Sequence, residues 1–382
     1  MSAISKGEDI ISISALEKSF ANEQVLRGID FGVKSGEFCV VVGPSGSGKS
    51  TLLKAIAGVV PYDGGTIHLA GENVDDIAIE DRNLGYVFQD FEERLFPHMS
   101  VAENVAFGLR QSDDSYTEAE IQEKIDEVLD LLAISETRAN KPSELSGGQQ
   151  QRVELARQLV RECDVMLLDD PLADLDYKLQ KRMELEMRRI HDSMGSTFVY
   201  VTHNQDQALK LADKLVVMNH GMIEQVGTPD EVYRNPATAF VGRFIGDSNP
   251  LLGSVVETRD DHVVVETPQG TVVSESRNGP VDTGTEVMVL IRPEDITIGE
   301  GATARENSFP ATVVGRTYTG EETEFSVSIG PDTEEFQVVI TGNVPSDTVG
   351  ERTTIGWDAT DSIAYATLSV VDTVTVDDLM EV

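Results

Sequence analysis

The chain has 382 residues, enough for two or three domains, and 40% of them are hydrophobic, enough for real cores. Asp and Glu number 67 against 30 Lys and Arg, a formal net charge of −37 spread along the chain rather than gathered in a tail. That balance argues against direct binding to nucleic acid or to anionic lipid, both of which want cations. No apolar run approaches the roughly 18 residues of a membrane span. The start, Met1 to Asp9, carries no apolar signal core. Any membrane role is therefore expected to pass through a partner chain. The two cysteines, Cys39 and Cys163, lack metal-site spacing and read as small buried residues, in keeping with a reducing cytosol.

In chain order, Ile10 to Phe31 alternates apolar and polar residues around the turn Ala21-Asn22-Glu23, the pattern of a small antiparallel sheet. Phe20, just before that turn, is placed either to stack on an adenine ring or to be a plain edge aromatic. Phe38 to Val42 is an apolar, β-branched run that predicts a buried strand, and Leu52 to Ala57 predicts the first turns of a helix. Between them lies Gly43-Pro44-Ser45-Gly46-Ser47-Gly48-Lys49-Ser50-Thr51, a phosphate-binding loop of the form G-x-x-x-x-G-K-[ST]. Glycines let backbone N–H groups wrap a triphosphate, and the helix N-terminus adds its dipole. In this pattern Lys49 reaches the β- and γ-phosphates, the Ser50 hydroxyl is a ligand for Mg²⁺, and Thr51 bonds the α-phosphate.

Further on, Thr66 to Leu69 and Leu84 to Phe88 read as short strands, the second delivering Gln89 at its end as a candidate catalytic or sensing group. Thr117 to Ile134 reads as a packing helix, with Thr117 and Glu120 as a capping box and Ile121, Ile125, Val128, Leu129 and Leu132 on one face. Ser146-Gly147-Gly148-Gln149 opens a helical run, which makes a second anion site at a helix N-terminus. Val165 to Leu168 is a buried strand ending in Asp169-Asp170. Adjacent carboxylates there are costly unless they serve Mg²⁺ and a water to be activated. Phe198 to Val201 is a further strand, ending in Thr202-His203, where His203 is a candidate contact for a γ-phosphate.

These residues together resemble the ATP-binding subunit of ATP-binding-cassette (ABC) importers. Gly43 to Thr51 matches the Walker A motif, Gln89 the Q-loop and Leu145 to Gln149 the LSGGQ signature. Val165 to Asp170 matches Walker B, Ala173 to Asp176 the D-loop, and His203 the switch histidine, all in the family's order. The resemblance implies an α/β P-loop nucleotide-binding fold with an antiparallel β-subdomain and a helical subdomain at about 90–160. It also implies a head-to-tail pair of ATP-binding subunits, expected to be a homodimer. Each ATP would be held between Walker A of one copy and Ser146-Gly147-Gly148-Gln149 of the other, with Asp176 at the shared site. Gln89, Ser50 and Asp169 would serve Mg²⁺, and Asp170 with His203 the attacking water. The family's usual residue at position 170 is Glu, so Asp170 is one methylene shorter. The stretch from Asp90 to His98, which ends in Leu-Phe-Pro-His, runs about two residues longer than the usual importer form.

From about Phe244 the texture changes to short Val/Thr-rich alternating strands such as His262–Val265, Val287–Ile291 and Phe325–Ile329. The expectation is an ABC domain over 1–243 and an all-β, OB- or TOBE-like barrel domain over 244–382. Ile291-Arg292-Pro293-Glu294-Asp295-Ile296 resembles a hallmark of the accessory β-domain of importers for oxyanions, iron, polyamines and sugars, with Trp357 near its final strands. The linker Phe240 to Asn249 looks more like iron and polyamine importers than sugar ones. The implied partners are integral-membrane permease subunits and, indirectly, an extracytoplasmic solute-binding protein, which puts the chain at the cytoplasmic face of the membrane. No nucleic acid is expected. A sugar-importer ATPase, or a soluble ABC ATPase without a permease, is the alternative. The carboxylate excess resembles that of proteins from salt-loving organisms.

Overall fold

The structure is a computed structural model. It describes every residue except 1–6, 22, 89–94, 112–115, 162, 174–176, 260, 278–280, 331–334, 343–348 and 381–382. The apolar runs become the strands expected of them. β1 (Asp9–Phe20) and β2 (Glu23–Lys34) pair antiparallel, followed by β3 (Phe38–Val42), buried at every residue, and by α1 (Lys49–Ala57). β4 (Gly64–Leu69) and β5 (Glu72–Asn73) extend the first pair into a four-stranded sheet of order β2-β1-β4-β5. Next come β6 (Leu84–Val87), then α2 (Val101–Gln111), α3 (Glu118–Leu131) and α4 (Gly147–Leu159), the helices of the expected helical subdomain.

Thr117 caps α3 reciprocally with Glu120, as its sequence predicts. The helix closes at Leu131, short of Ile134, because Ala133 turns to φ +51° and the Ile134 N–H returns to the Leu129 carbonyl at 2.9 Å.

β7 (Val165–Asp169), α5 (Tyr177–Met194), β8 (Thr197–Thr202), α6 (Gln205–Leu211), β9 (Lys214–Asn219) and β10 (Met222–Gly227) complete a six-stranded sheet of order β10-β9-β3-β8-β7-β6. All neighbours in it are parallel except β10 and β9. The register decides where the chemistry falls. Val42 pairs with Thr202 and Asp169 with Val201, so the phosphate loop, the carboxylate pair and His203 leave adjacent strands at one level. That is the carboxyl end of a parallel sheet, where open α/β folds bind their ligands.

α7 (Pro229–Arg234) and α8 (Ala239–Phe244) lead to the β-rich part. By contacts the chain divides into Met1–Val232 and Tyr233–Val382, earlier than the change of texture near Phe244 suggests. The reason is that α8 belongs physically with the strands. Arg292 donates from Nη1 to the carbonyls of Gly242, Gly246 and Asp247, each at 2.9 Å, and from Nη2 to that of Tyr233 at 3.0 Å. The Ile291–Ile296 hallmark thus has a structural use: its arginine holds the end of the linker helix.

The β unit holds a closed barrel and a sheet. The barrel is formed by β11 (Asn249–Arg259), β12 (His262–Thr267), β13 (Gly270–Glu275), β14 (Glu286–Ile291) and a late strand, Ser362–Tyr365. The five-stranded sheet contains β15 (Thr297–Ile298), β16 (Asn307–Tyr318), β17 (Glu322–Ser328), β18 (Phe336–Thr341) and β19 (Arg352–Trp357). The late barrel strand is β20.

One apolar core serves both layers, with Trp357 fully buried and stacked near Phe309 and Phe336. Two asparagines stitch the layers together. Asn307 takes the Val273 N–H at 2.8 Å and donates to its carbonyl at 2.9 Å. Asn249 takes the Gln337 N–H at 2.7 Å and donates to its carbonyl at 2.8 Å. Each side-chain amide replaces a missing strand neighbour.

Candidate active site

The phosphate loop adopts the shape its glycines allow. Gly46 and Gly48 lie at φ +81° and +98°, and a Cβ on Gly43 would meet the Met218 carbonyl at 2.2 Å. Ser45 and Gly46 are exposed, Pro44, Ser50 and Thr51 are half-buried, and Ser47 is buried. Gly48 caps α1, whose first residue is Lys49. The Lys49 ammonium is nearly buried and donates to the carbonyls of Gly43 at 2.8 Å and Pro44 at 2.7 Å, and to Ser47 Oγ at 3.3 Å. Burial pushes its pKa down, against Asp170 and Asp169, which pull it up. A buried cation whose partners are mostly neutral carbonyls suits an arriving anion.

Ser50 Oγ donates to Asp169 Oδ1 at 2.7 Å, and the Tyr86 hydroxyl donates to Oδ2 at 3.2 Å. Hydroxyl and carboxylate oxygens form the hard donor set that fits Mg²⁺. The next residue, Asp170, stands at φ +46°, a conformation that Asp tolerates better than most side chains. Its Oδ2 lies 2.7 Å from Nδ1 of His203, and its Oδ1 accepts from the Thr202 hydroxyl at 3.3 Å. Burial pushes the Asp170 carboxyl up, His203 and Thr202 pull it down, and Asp169 adds a smaller upward push. The His203 side chain is 65% exposed, so its ring is open to solvent beside a nearly buried carboxylate.

The fold thus brings together Gly43 to Thr51, Asp169, Asp170 and His203. Ser146, Gly147, Gly148 and Gln149 stand apart at the N-terminus of α4. There Ser146 Oγ accepts from the Gln149 N–H at 3.4 Å, and Gln149 Oε1 accepts from the Ser146 N–H at 3.0 Å. Ser146 and Gly147 are exposed, leaving that helix end available to another molecule. Phe20 is exposed at the tip of the β1–β2 hairpin with the Lys18 ammonium 5.1 Å from its ring centre. Gln89 and Asp176 lie outside the described residues.

Sequence reasoning missed Tyr86, Thr202 and Gln207, all behind the carboxylates. Tyr86 carried a signal in being a phenol inside an apolar strand, since a buried hydroxyl needs a partner.

A phosphate loop facing paired carboxylates and a histidine on adjacent strand ends defines a nucleoside-triphosphate-hydrolysing site. Residues 26–173 match the ABC transporter family model, and residues 289–364 match the TOBE domain model. The chain is 36% identical over 362 residues to the spermidine/putrescine import ATP-binding protein PotA of Haemophilus influenzae, covering 92% of this chain and 95% of that one. It is 42% identical over 291 residues to the PotA of Photobacterium profundum, covering 76% and 77%. Among solved structures, an ATP-binding cassette determined as a dimer in a post-hydrolysis state with ADP and Pi matches with a TM-score of 0.53 at 27% identity. That match covers 57% of this chain and 98% of that one. The chain belongs to the ABC transporter family, and it is an ATP-binding, ATP-hydrolysing subunit of the import type.

Proposed function

We propose that the chain drives polyamine import as the ATPase of a complex with membrane permease subunits, sitting at the cytoplasmic face of the membrane. The observation that carries the substrate class is the likeness to spermidine/putrescine import ATPases across both the ATP-binding and the β unit. That span, with the TOBE match, also favours an importer over a soluble ABC ATPase. The deciding experiment reconstitutes the chain with its permease and external binding protein in vesicles. ATP-driven uptake of labelled spermidine or putrescine is expected, and uptake of a sugar, iron or an oxyanion in its place sinks the polyamine reading.

The proposed roles follow from the site. The loop N–H groups and Lys49 hold the phosphates, with the ammonium leaving the Gly43 and Pro44 carbonyls to do so. Thr51 bonds the α-phosphate, and Phe20 stacks on the base. Ser50, Asp169 and Gln89 would hold Mg²⁺, which when bound neutralises phosphate charge. Two copies pair head to tail, so that Ser146 to Gln149 of one covers the nucleotide of the other, with Asp176 beside it. The relative determined as a dimer with ADP and Pi supports the pairing of two copies.

Asp170 accepts the proton of the attacking water. The left-handed backbone and the Thr202 and His203 contacts fix its short carboxylate, so that reach is supplied by position. His203 orients this carboxylate and contacts the γ-phosphate. Asp170→Asn is expected to lower kcat for ATP by about 10²–10³-fold with nucleotide affinity retained. Unchanged turnover removes Asp170 from the role.

A groove of about 770 Å³ past the end of β6, lined by Phe88, Phe96 and Phe107 with Arg157, Arg161 and Glu154, supports docking of a permease segment. The acid excess supports service in concentrated salt, with the prediction that the melting temperature rises steeply with KCl.

A further inference from the structure

Three consecutive side chains near the start of α4 each donate to a main-chain carbonyl. Gln150 donates from Nε2 to the carbonyls of Pro142 at 3.0 Å and Leu145 at 3.4 Å. Arg152 donates from Nη1 to those of Leu132 and Ala133, each at 3.1 Å, at the end of α3. Between them, Gln151 donates from Nε2 to the carbonyl of Pro171, the residue after Asp170. The first two sets of bonds stay within the helical subdomain. The Gln151 bond leaves it for the segment that carries the carboxylate.

Gln151 is 5% exposed and Pro171 is buried. The other end of the Gln151 amide, Oε1, is buried with no hydrogen-bond partner among the described residues. A methionine would fill the same space without an unpaired amide oxygen, so stability alone does not favour glutamine there. What the amide contributes is its donor to Pro171.

Asp170 needs such a donor. It stands at φ +46°, and the proline after it restricts its backbone further. A conformation of this kind persists where the surroundings fix it from both sides. On the amino side, the Asp170 N–H donates to the Val201 carbonyl at 2.9 Å. On the carboxyl side, Pro171 has no N–H to give the sheet. There the Ala173 N–H closes a turn on the Asp170 carbonyl at 3.3 Å, and Gln151 ties the Pro171 carbonyl to a helix.

We propose that Gln151 is a positioning residue for ATP hydrolysis: from the signature helix it anchors the Pro171 carbonyl and so fixes the backbone that aims the Asp170 carboxylate. A short carboxylate has little reach of its own, and a small misplacement of a reacting group costs rate steeply. The proposal rests on the reading of Asp170 as the base.

The test is steady-state ATPase kinetics on the full chain for Gln151→Met, Asp170→Asn and the double variant, with melting temperatures alongside. Methionine keeps the volume and removes the donor. Gln151→Met is expected to lower kcat about tenfold, the size of one lost buried hydrogen bond, with KM for ATP changed less than about twofold and the melting temperature nearly held. In the Asp170→Asn background the same change is expected to do nothing further, because its effect passes through that carboxylate. Unchanged kcat in Gln151→Met overturns the proposal, as does an equal further loss in the double variant. A loss of kcat matched by an equal change in KM, or by a large drop in melting temperature, marks a packing role and also overturns it. If Asp170→Asn itself keeps full kcat, the base assignment falls instead, which separates the two failures. Should Gln151→Met not fold, Gln151→Leu removes the same donor from a residue that suits a helix. The same loss of kcat supports the proposal, and unchanged kcat overturns it.

Discussion

In the ATP-binding unit the buried side chains include Lys49, Glu154, Asp169, Asp170, Glu184 and His191. In the β unit, among the described residues, the buried polar side chains are uncharged: Thr238, Ser248, Asn249, Thr267, Ser274, Asn307, Thr323 and Ser362. Burying an ionisable group costs stability unless it is paired, so a fold keeps such groups where chemistry uses them. The first unit accepts the cost in Asp169 and Asp170 at the end of β7 and in Lys49 at the start of α1, and offsets it on its helices by pairing Glu154 with Arg157 and Glu184 with Lys181. The second spends its interior on apolar packing and uses neutral amides to join two layers. The difference teaches that the first unit was shaped around charge and the second around shape.

Four variants sharpen or break that contrast. The largest effect is expected from Lys49→Ala. ATPase turnover should fall at least about 10³-fold, because the loop loses its cation for the phosphates. The melting temperature should hold or rise, since a lysine whose pKa burial depresses is not there for stability. A large drop in thermal stability breaks the contrast.

Next, Trp357→Ala should cost about 3–5 kcal/mol by emptying the β-unit core between Phe309 and Phe336. Calorimetry should show the loss while basal ATPase stays within about twofold, as expected of a core that belongs to a separate unit.

Asn307→Ala should cost about 2 kcal/mol, because it takes the Asn307 amide from the Val273 N–H and leaves the Val273 carbonyl with only the long Ser362 hydroxyl contact at 3.5 Å. Chemical denaturation measures it, and a loss near zero would mean that strand pairing alone joins the layers.

The smallest effect concerns Asp295. Asp295 is exposed at its surface; partial desolvation by the packing around it, then Glu294 and Asp361, push its carboxyl above the ordinary range, against Arg292 and Arg234. A raised folded pKa means that the folded state favours the protonated acid, so its stabilisation is present at low pH and lost as pH rises through the raised value. Asp295→Asn should therefore raise the melting temperature at pH 7–8, and the gain should shrink on acidification toward the ordinary carboxylate range. A gain independent of pH would point to packing instead.

The motifs were readable because they are contiguous. Gly43 to Thr51 and Ser146 to Gln149 are local backbone devices, and the capping box of α3 and the fully buried strands β3 and β7 follow from short-range pattern. The Val/Thr alternation after Phe244 announced strands, but not that five close into a barrel while five form a sheet, since closure depends on which strands pair. The linker helix α8 read as part of the first domain because its helical texture hides that Arg292 anchors it to the β unit.

By itself, then, the sequence determined that a nucleotide site exists, which strands carry its residues, and that an all-β unit follows. Only the tertiary structure decided that Asp170 meets His203 across 33 positions of chain, that Tyr86 reaches Asp169 across 83, and that Gln207 closes the corner behind Thr202. The physical reason is that local pattern sets each strand, whereas the order and register of strands in the sheet set which strand ends become neighbours. The shortened carboxylate is oriented by those neighbours.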